Sequence, residues 1–387
     1  MVKIMELISS PFEEIPTPII WDILSKLPTK TCLNCKLVCK EWYDIITNRD
    51  FANLRRSSGC YSTVLLYGKF DGTLNFVLFD LDNHTKVDET CNLIVDNDAM
   101  IKFKSKYTNS NEQFNAINEC NGLILLRSIN DHGAYIVCNV VTRQHAIVEL
   151  DPTHASNYAV MEGLGYCTVS QQFKVLRVSK CRQTSIFVAE IQTLGTNKWR
   201  IVNDKSPILE SCDKVVFING SLHIYTRTKH CITSFDFGTE TFSRIPLPDE
   251  VVAIYDWSIS IYDSCLCFAS YIGDDDGRCG FWVMKDYGVK ESWVKLFVFE
   301  IYSDGYWGLR LPLLQMESKE ILFAYNTFGL AVDNIRYGRC KEIEVLGDFN
   351  FNVFGFNPNF SKNSLGSDAS TNYAIGLQPF HVKKTKE

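Results

Sequence analysis

The stretch CITSFDFGTETFSRIPL, residues 231–247, decides the fold, because two alternating apolar runs flank a polar turn. Such alternation has the period of half-buried β-strands. The pattern occurs six times, beginning at Leu74, Ala134, Ser185, Cys231, Cys279 and Phe328. Equivalent points recur about every fifty residues, at Asp80, Asn139, Glu190, Asp236, Lys285 and Asp333. This period is typical of kelch-like blades of four strands. The sequence therefore predicts an all-β main domain, a six-bladed kelch-like β-propeller.

Additional hairpin signals precede several of these repeats. Asn121-Gly122 and Asn219-Gly220 each lie between apolar runs. Asn-Gly between apolar strands is the strongest short hairpin signal, because both residues accept a positive φ. A β-sandwich built from the same strands remains open as the second interpretation.

The chain begins differently, with a helical pattern over residues 15–54. Five apolar residues form one stripe of a helix: Ile19, Ile20, Ile23, Leu24 and Leu27. Prolines precede and end this stripe, as helix boundaries allow. A second helix capped by Thr29 or Thr31, a third containing Trp42 and a final turn should follow. We expect these helices to stand off the propeller, joined to it by a short exposed link at residues 55–59 that leads to a strand beginning near Tyr61.

About forty residues cannot bury this much apolar surface internally, so a partner or the rest of the chain must cover the remainder. The segment resembles the F-box in the order and spacing of its residues. The matching positions are Ile15-Pro16, Ile19-Ile20, Ile23-Leu24, Leu27-Pro28, Leu33, Val38-Cys39-Lys40, Trp42, Asp50 and Phe51. Ile15 and Asn34 depart mildly from the usual pattern. The resemblance implies three short helices that bind a Skp-family adaptor and, through it, a cullin and a RING subunit.

The repeats also contain recognisable blocks. These are Cys120-Asn121-Gly122-Leu123, Gly163-Leu164-Gly165-Tyr166, Asn197-Lys198-Trp199-Arg200, Asn219-Gly220-Ser221-Leu222-His223 and the block of residues 282–293, WVMKDYGVKESW. They resemble the plant F-box-associated interaction domain, and within it the S-locus F-box proteins most. Ser170-Gln171-Gln172 and Ile224-Tyr225 depart from the family pattern.

Composition excludes several classes of protein. The formal net charge of −6 argues against a nucleic-acid or anionic-membrane binder, which would carry a basic stripe. No apolar run is long enough to span a membrane, and the first residues lack a secretory signal. Fifteen cysteines, an odd number at irregular spacing, are interpreted as reduced thiols that serve as small hydrophobes. We therefore expect a cytoplasmic protein, with the nucleus as a second location.

No catalytic constellation is present in the sequence. The seven histidines are scattered, and no metalloprotease, nucleophile-elbow or phosphate-loop motif occurs. Cys32 and Cys35 have helix-core spacing rather than metal-ligand context. Asp274-Asp275-Asp276 are consecutive, whereas a calcium loop alternates its carboxylates. The sequence thus predicts no catalytic residue, no metal and no cofactor.

The resemblance to the F-box and to the F-box-associated domain implies a substrate receptor of an SCF-type ubiquitin ligase. The expected division is a flexible start at residues 1–10, the F-box at 11–55, the propeller at 60–348 and a C-terminal segment at 349–387 that partly closes the ring and ends in a polar tail. The expected adaptor-binding residues are Ile15, Pro16, Ile19, Ile20, Ile23, Leu24, Leu27, Pro28, Leu33, Val38, Cys39 and Trp42.

An unknown protein target should bind loops of the propeller. The candidate segments are residues 104–114, 151–158, 273–278 and 302–309, with Tyr158, Asp274, Asp275, Arg278, Tyr302, Tyr306 and Trp307 as candidate contacts. Long or aromatic interruptions of a repeat tend to lie on its functional face. The alternative is a propeller enzyme or a lectin, for which the helices would be incidental.

Overall fold

A computed structural model describes most of the chain. The described residues are 15–58, 62–70, 73–81, 86–87, 93–94, 101–104, 114–128, 134–150, 158–182, 184–203, 214–251, 257–272, 278–300, 310–315, 320–325, 329–334, 339–343, 351–361, 365 and 378–379.

Four helices form the N-terminal helical module, residues 15–58: α1 Thr17–Ser25, α2 Thr29–Cys35, α3 Lys40–Thr47 and α4 Arg49–Ser58. The predicted helical stripe over α1 is confirmed, and Pro16 occupies its N-cap. Three helices were expected, and this number is wrong, because the expected final turn is the ten-residue helix α4. This helix also occupies most of the link that was expected at residues 55–59.

The strands follow in chain order: β1 Ser62–Phe70, β2 Thr73–Leu81, β3 Lys86–Val87, β4 Leu93–Ile94, β5 Ile101–Lys104, β6 Phe114–Cys120, β7 Leu123–Ser128, β8 Ala134–Asn139, β9 Gln144–Glu149, β10 Tyr158–Cys167, β11 Gln172–Lys180, β12 Phe187–Thr193, β13 Trp199–Ile201, β14 Val216–Ile218, β15 Ser221–Thr226, β16 Cys231–Asp236, β17 Thr241–Pro246, β18 Trp257–Tyr262, β19 Cys265–Tyr271, β20 Arg278–Met284, β21 Trp293–Glu300, β22 Arg310–Gln315, β23 Glu320–Tyr325, β24 Gly329–Asn334, β25 Arg339–Ile343, β26 Phe351–Phe356 and β27 Gln378–Pro379.

These strands build a β-propeller, so the sandwich interpretation is wrong. Five blades each contain four consecutive antiparallel strands: β6–β9, β10–β13, β14–β17, β18–β21 and β22–β25. In each of these blades the repeat seen in the sequence forms the third and fourth strands. The predicted six equivalent blades are corrected to five. The first repeat differs physically, because the separate hairpin β3–β4 lies between β2 and β5, the strand that pairs with β2, and because its sheet also contains β26 and β27 from the other end of the chain. The kelch-like subtype stays a prediction.

A composite sheet joins the two ends of the chain, in the order β26-β1-β2-β5-β27. Strand β26 pairs antiparallel with β1, with Phe356 opposite Thr63 and Phe351 opposite Gly68. Strand β26 also contacts β6 on one side and β23 and β24 on the other. The composite sheet therefore lies between the first and the last four-stranded blade, and the pairing of the chain ends joins them into a ring.

The ring has two distinct faces. Because neighbouring strands in each blade are antiparallel, the turns after the first and third strands share one face. The turn after the second strand and the connection to the next blade share the other. Val140 and Val141, in the turn after β8, pack in one cluster with the helical module. Arg49 of α4 donates a 2.7 Å hydrogen bond to the carbonyl of Gln171, after β10. We call this side the helix face and the opposite side the loop face.

The sequence predicted that the helical module stands off the propeller, and this prediction is wrong: the module packs against the ring. Its buried residues Leu24, Ile46 and Phe51 form one continuous cluster with Leu65 of β1 and with Phe360. The reason is the small size of the module, which leaves apolar side chains that the composite sheet and the chain that follows it cover. The module and the ring therefore share a core.

Two tryptophans connect neighbouring blades in the same way. The Trp199 indole N–H donates to the carbonyl of Glu149, at the end of β9, over 2.7 Å. The Trp293 indole N–H donates to the carbonyl of Pro246, at the end of β17, over 3.0 Å. Each tryptophan begins the fourth strand of its blade and contacts the fourth strand of the blade before. The sequence blocks that contain them therefore encode blade-to-blade contacts.

Candidate functional site

An apolar surface is exposed on the helical module. Ile19 and Ile23 of α1 lie one helical turn apart and are 50% and 47% exposed. Leu37 and Val38, which follow α2, are 86% and 60% exposed. Four large apolar side chains on so small a module are unusual for a surface that faces only water. We call Ile19, Ile23, Leu37 and Val38 the module patch.

The structure separates the twelve predicted adaptor-binding residues into three groups. The exposed ones are Pro16, Ile19, Ile23, Val38 and Cys39, and the half-buried ones are Ile15, Leu27, Pro28, Leu33 and Trp42. Ile20 and Leu24 are buried and belong to the shared core, so the prediction that they present a binding surface is corrected. They face the propeller side of α1, because the helix turns them away from Ile19 and Ile23.

Sequence reasoning missed Leu37, the most exposed residue of the module patch. Its signal was present in the sequence, since Leu37-Val38 follows the stripe of α2 and precedes α3. A leucine outside the periodic stripe of either neighbouring helix has no core position to occupy. It is therefore exposed unless a partner covers it.

The propeller holds the start of α2 in place. The residue at its N-cap is Pro28, not Thr29 or Thr31, and no side chain within the module caps it. Instead the Asp80 carboxylate of β2 accepts from the Thr29 backbone N–H and, over 2.7 Å, from the Thr29 hydroxyl. The Thr63 hydroxyl of β1 donates to the same carboxylate over 2.6 Å. A carboxylate at a helix N-terminus satisfies free N–H groups and complements the helix dipole.

Arg55 of α4 connects α4 to the chain around the start of α2. It donates to the Leu27 carbonyl and, over 3.1 Å, to the Thr29 hydroxyl. Its guanidinium also lies 5.6 Å from the centre of the Phe360 ring.

Burial raises the pKa of the neighbouring Cys32 thiol to about 11. Cys32 is therefore a neutral, packed side chain, in line with its interpretation as a small hydrophobe.

The chain after β26 forms a strap between the module and the ring, which we define as residues 357–361 with Leu365. Phe360 is 1% exposed and packs edge-on against Phe51 of α4, with ring centres 6.0 Å apart. The Asn359 carbonyl accepts a 2.9 Å hydrogen bond from the Asn139 side chain. The Asn359 amide donates 3.0 Å to the Asn121 carbonyl. The strap thus contacts the module and the blade β6–β9 at once.

Leu365 lies further along the same strap, within the stretch that was predicted to be a polar tail. It is buried in the cluster between the blades β6–β9 and β10–β13, with Leu123 and Phe173. The prediction is therefore wrong for Leu365. Its apolar side chain covers the end of an interblade core that the hairpins leave open.

Gly122 makes the close approach of the strap possible. Its φ is +82°, and a Cβ placed on it would lie 2.3 Å from the Asn359 Cβ and 2.5 Å from the Asn357 carbonyl oxygen. Only glycine combines that backbone conformation with so little space. The Asn-Gly pair that predicts a hairpin is therefore also the docking point of the strap.

We expect Gly122→Ala to loosen the strap and lower the thermal stability of the whole protein. The left-handed backbone alone costs an alanine about 1–3 kcal/mol, and the clash with Asn359 adds to it. Gly220→Ala is the matched control, because Gly220 has a φ of +75° in an equivalent Asn-Gly turn with nothing within 4 Å. Urea unfolding and limited proteolysis of the C-terminus measure the difference. Equal losses in both variants would contradict a close contact with the strap.

Buried polar groups outside the helical module join blades. His223 on β15 is fully buried, and its Nε2 lies 2.6 Å from the Tyr287 hydroxyl of the next blade. Burial lowers the pKa of His223 to about 4, so its imidazole is neutral at physiological pH.

Within the described residues no group of three or more His, Cys, Asp or Glu side chains could hold a metal ion.

Comparison with known proteins identifies the family. A family model of the F-box associated beta propeller domain matches residues 65–331, more than half of the chain. The chain belongs to this family. A second family model, described as F-box-like, matches residues 12–52 and covers nearly all of the helical module.

No helix in the described part of the chain is long and apolar enough to cross a membrane.

Curated plant proteins match nearly the whole chain. F-box protein At3g07870 of Arabidopsis thaliana is 24% identical over 87% of this chain and 88% of its own length. F-box protein CPR1 of Arabidopsis thaliana is 26% identical over 86% of this chain and 84% of its own. The structure of YCF48 from Cyanidioschyzon merolae covers 76% of this chain and 88% of its own at 9% identity, with a TM-score of 0.41, a likeness too weak to argue from.

Every segment predicted to bind a target is flanked by strands whose described ends lie on the loop face of this F-box-associated propeller. Those segments connect β5 to β6, β9 to β10, β19 to β20 and β21 to β22, which are all loop-face ends of strands. Tyr158 is described at the first residue of β10 and is 52% exposed. Arg278 is exposed at the first residue of β20. Asp274, Asp275, Tyr302, Tyr306 and Trp307 lie outside the described residues.

Proposed function

We propose that this F-box-associated propeller is the substrate receptor of an SCF-type ubiquitin ligase. The observation that carries the proposal is the module patch, exposed on a segment that matches the F-box-like family model. A Skp-family adaptor would cover Ile19, Ile23, Leu37 and Val38 and connect the receptor to a cullin and a RING subunit. The similarity to F-box proteins of Arabidopsis thaliana supports this proposal.

The proposed mechanism is proximity rather than chemistry by the chain itself. A target held on the propeller would have its lysines kept near a conjugating enzyme, which raises their effective concentration. The shared core, the Asp80 contact and the strap support a fixed position of the module on the ring. Under this proposal the protein is not an enzyme.

Replacing Ile19 and Ile23 by Asp tests adaptor binding. Both side chains are about half exposed, so the double variant should fold. Each carboxylate would be buried unpaired in the complex, and together they should weaken adaptor binding at least about hundredfold. The measurement is titration calorimetry with a purified plant Skp-family adaptor.

The control is Val169→Asp with Val289→Asp, which adds the same two charges at exposed apolar positions on propeller turns. It should bind the adaptor like the wild type. Wild-type affinity of the Ile19/Ile23 variant would remove the basis of the proposal.

A further inference from the structure

The loop-face end of the blade β10–β13 combines exposed apolar and cationic side chains. Tyr158 and Ile186 are 52% and 61% exposed. Lys180 and Arg182 are exposed in the same corner. In the strand register Tyr158 lies opposite Lys180, and Lys180 lies opposite Phe187. The apolar and the cationic groups are therefore direct neighbours across three strands.

The corresponding turn of the adjacent blade carries the same sign of charge. Arg227, Lys229 and His230 are exposed in the turn between β15 and β16, and β15 contacts β10. Neither turn contains an acidic residue, since they read KCRQTSIF over 180–187 and TRTKHC over 226–231. Lys180, Arg182 and Lys229 form no ion pair with any residue that the structure describes. On a chain of net charge −6, this is a local reversal of sign.

Backbone hydrogen bonds join the two sides of both turns. The Cys181 N–H donates to the Ile186 carbonyl and the Ser185 N–H to the Cys181 carbonyl, each over 2.9 Å. The His230 N–H donates to the Arg227 carbonyl over 3.1 Å. Ile186 is thus exposed at a position whose backbone carbonyl is hydrogen-bonded to Cys181. A preorganised surface loses little conformational entropy on binding, so more of the contact energy appears as affinity.

We propose that Tyr158, Lys180, Arg182, Ile186 and Lys229 form a binding patch for an acidic segment of a protein target that carries at least one large apolar side chain. The cations match the carboxylates, and Tyr158 with Ile186 matches the apolar anchor. The patch lies on the loop face, so an adaptor on the helical module leaves it open. This inference rests on the proposed function and names the chemistry of its target.

The test uses the full chain and two short fluorescent peptides. One contains Asp and Glu around a central Phe, and the other replaces every acidic residue with Lys. Fluorescence anisotropy should show that only the acidic peptide binds, and that its affinity falls as the salt concentration rises. Lys180→Glu with Arg182→Glu should weaken this binding by about tenfold or more. Hydrogen exchange should show protection of residues 180–186 when the acidic peptide is bound.

The matched control is Lys198→Glu with Arg244→Glu, which makes the same change of charge at exposed residues outside the patch. It should keep wild-type affinity for the acidic peptide. Equal binding of the two peptides, equal loss in both double variants, or tighter binding of a single-stranded oligonucleotide would overturn the proposal. Adaptor binding is measured on the same samples. If the wild type does not bind the adaptor, the receptor function is contradicted. If it binds the adaptor but not the acidic peptide, only the patch is contradicted.

Discussion

A chain that stops at Gly347 is expected to lose the folded propeller as a whole. This truncation removes β26, which pairs with β1 from Gly68 to Thr63, and the strap that follows it. Phe356 and Phe360 are both buried in the shared core. Losing each buried Phe costs about 3–5 kcal/mol, and a typical domain has only about 5–15 kcal/mol of stability. The unpaired edge of β1 would also favour aggregation.

Far-ultraviolet circular dichroism and soluble yield measure this loss. The control is a chain that stops at Pro379, which keeps every strand of the composite sheet and should melt like the full chain. If the chain ending at Gly347 melts like the full chain, β26 does not stabilise the ring.

The second large effect is expected from Arg177→Met, between the blades β6–β9 and β10–β13. Arg177 is 2% exposed, and its Nε lies 3.9 Å from Glu162 and its guanidinium 3.8 Å from Glu190. Both carboxylates are buried as well. Removing the cation leaves two buried negative charges facing each other, at a cost of about 3–5 kcal/mol.

Two other groups stabilise part of this network. Arg127 pairs with Glu162 over 2.6 Å, and the Tyr135 hydroxyl donates to the same carboxylate. Burial and the charge of Glu162 raise the pKa of Tyr135, so it remains a donor. These groups still contact Glu162 in the variant, so neutralising Glu190 is the direct way to relieve the repulsion between the two carboxylates. Urea unfolding measures the effect, and Arg177→Met combined with Glu190→Gln should recover much of it. Wild-type stability of Arg177→Met would show that the three charges do not depend on one another.

Local signals in the sequence predicted the local parts of the fold. The alternating runs and polar turns located the outer hairpins of five blades, because a hairpin is formed by residues that are close in sequence. The helical stripe located α1 for the same reason. Partial closure of the ring by the C-terminal segment was also expected, since propeller rings are commonly closed by both chain ends, but neither the partner of β26 nor its register could be predicted from the sequence.

The errors concern contacts between distant segments. The stripe of α1 does not show which side is covered, because the covering residues Leu65 and Phe360 come from elsewhere in the chain. The contact of Asp80 with the start of α2 has no sequence signature, since neither residue type is unusual at its position. Leu365 was assigned to a polar tail by the composition of its neighbours, although its own side chain fills a gap between blades.

Composition also gave no sign of the binding patch on the loop face. Lys180, Arg182 and Lys229 are scattered along a chain of net negative charge, so no basic run marks them. Only the fold brings the ends of β11 and β15 to the same side of the ring. Tyr158 was predicted as a target contact from its loop alone, without its cationic neighbours.

The composite sheet has a consequence for the order of events on the ribosome. Strand β1 emerges soon after the helical module, but its partner β26 is translated only after all five four-stranded blades. Until then the nascent chain exposes an unpaired strand edge and the uncovered side of α1 and α4, both of which attract chaperones or other nascent chains. Messages that are cut short before the codons of β26 would therefore yield chains that cannot close the ring. Closure of the ring therefore waits until every four-stranded blade and β26 have been translated.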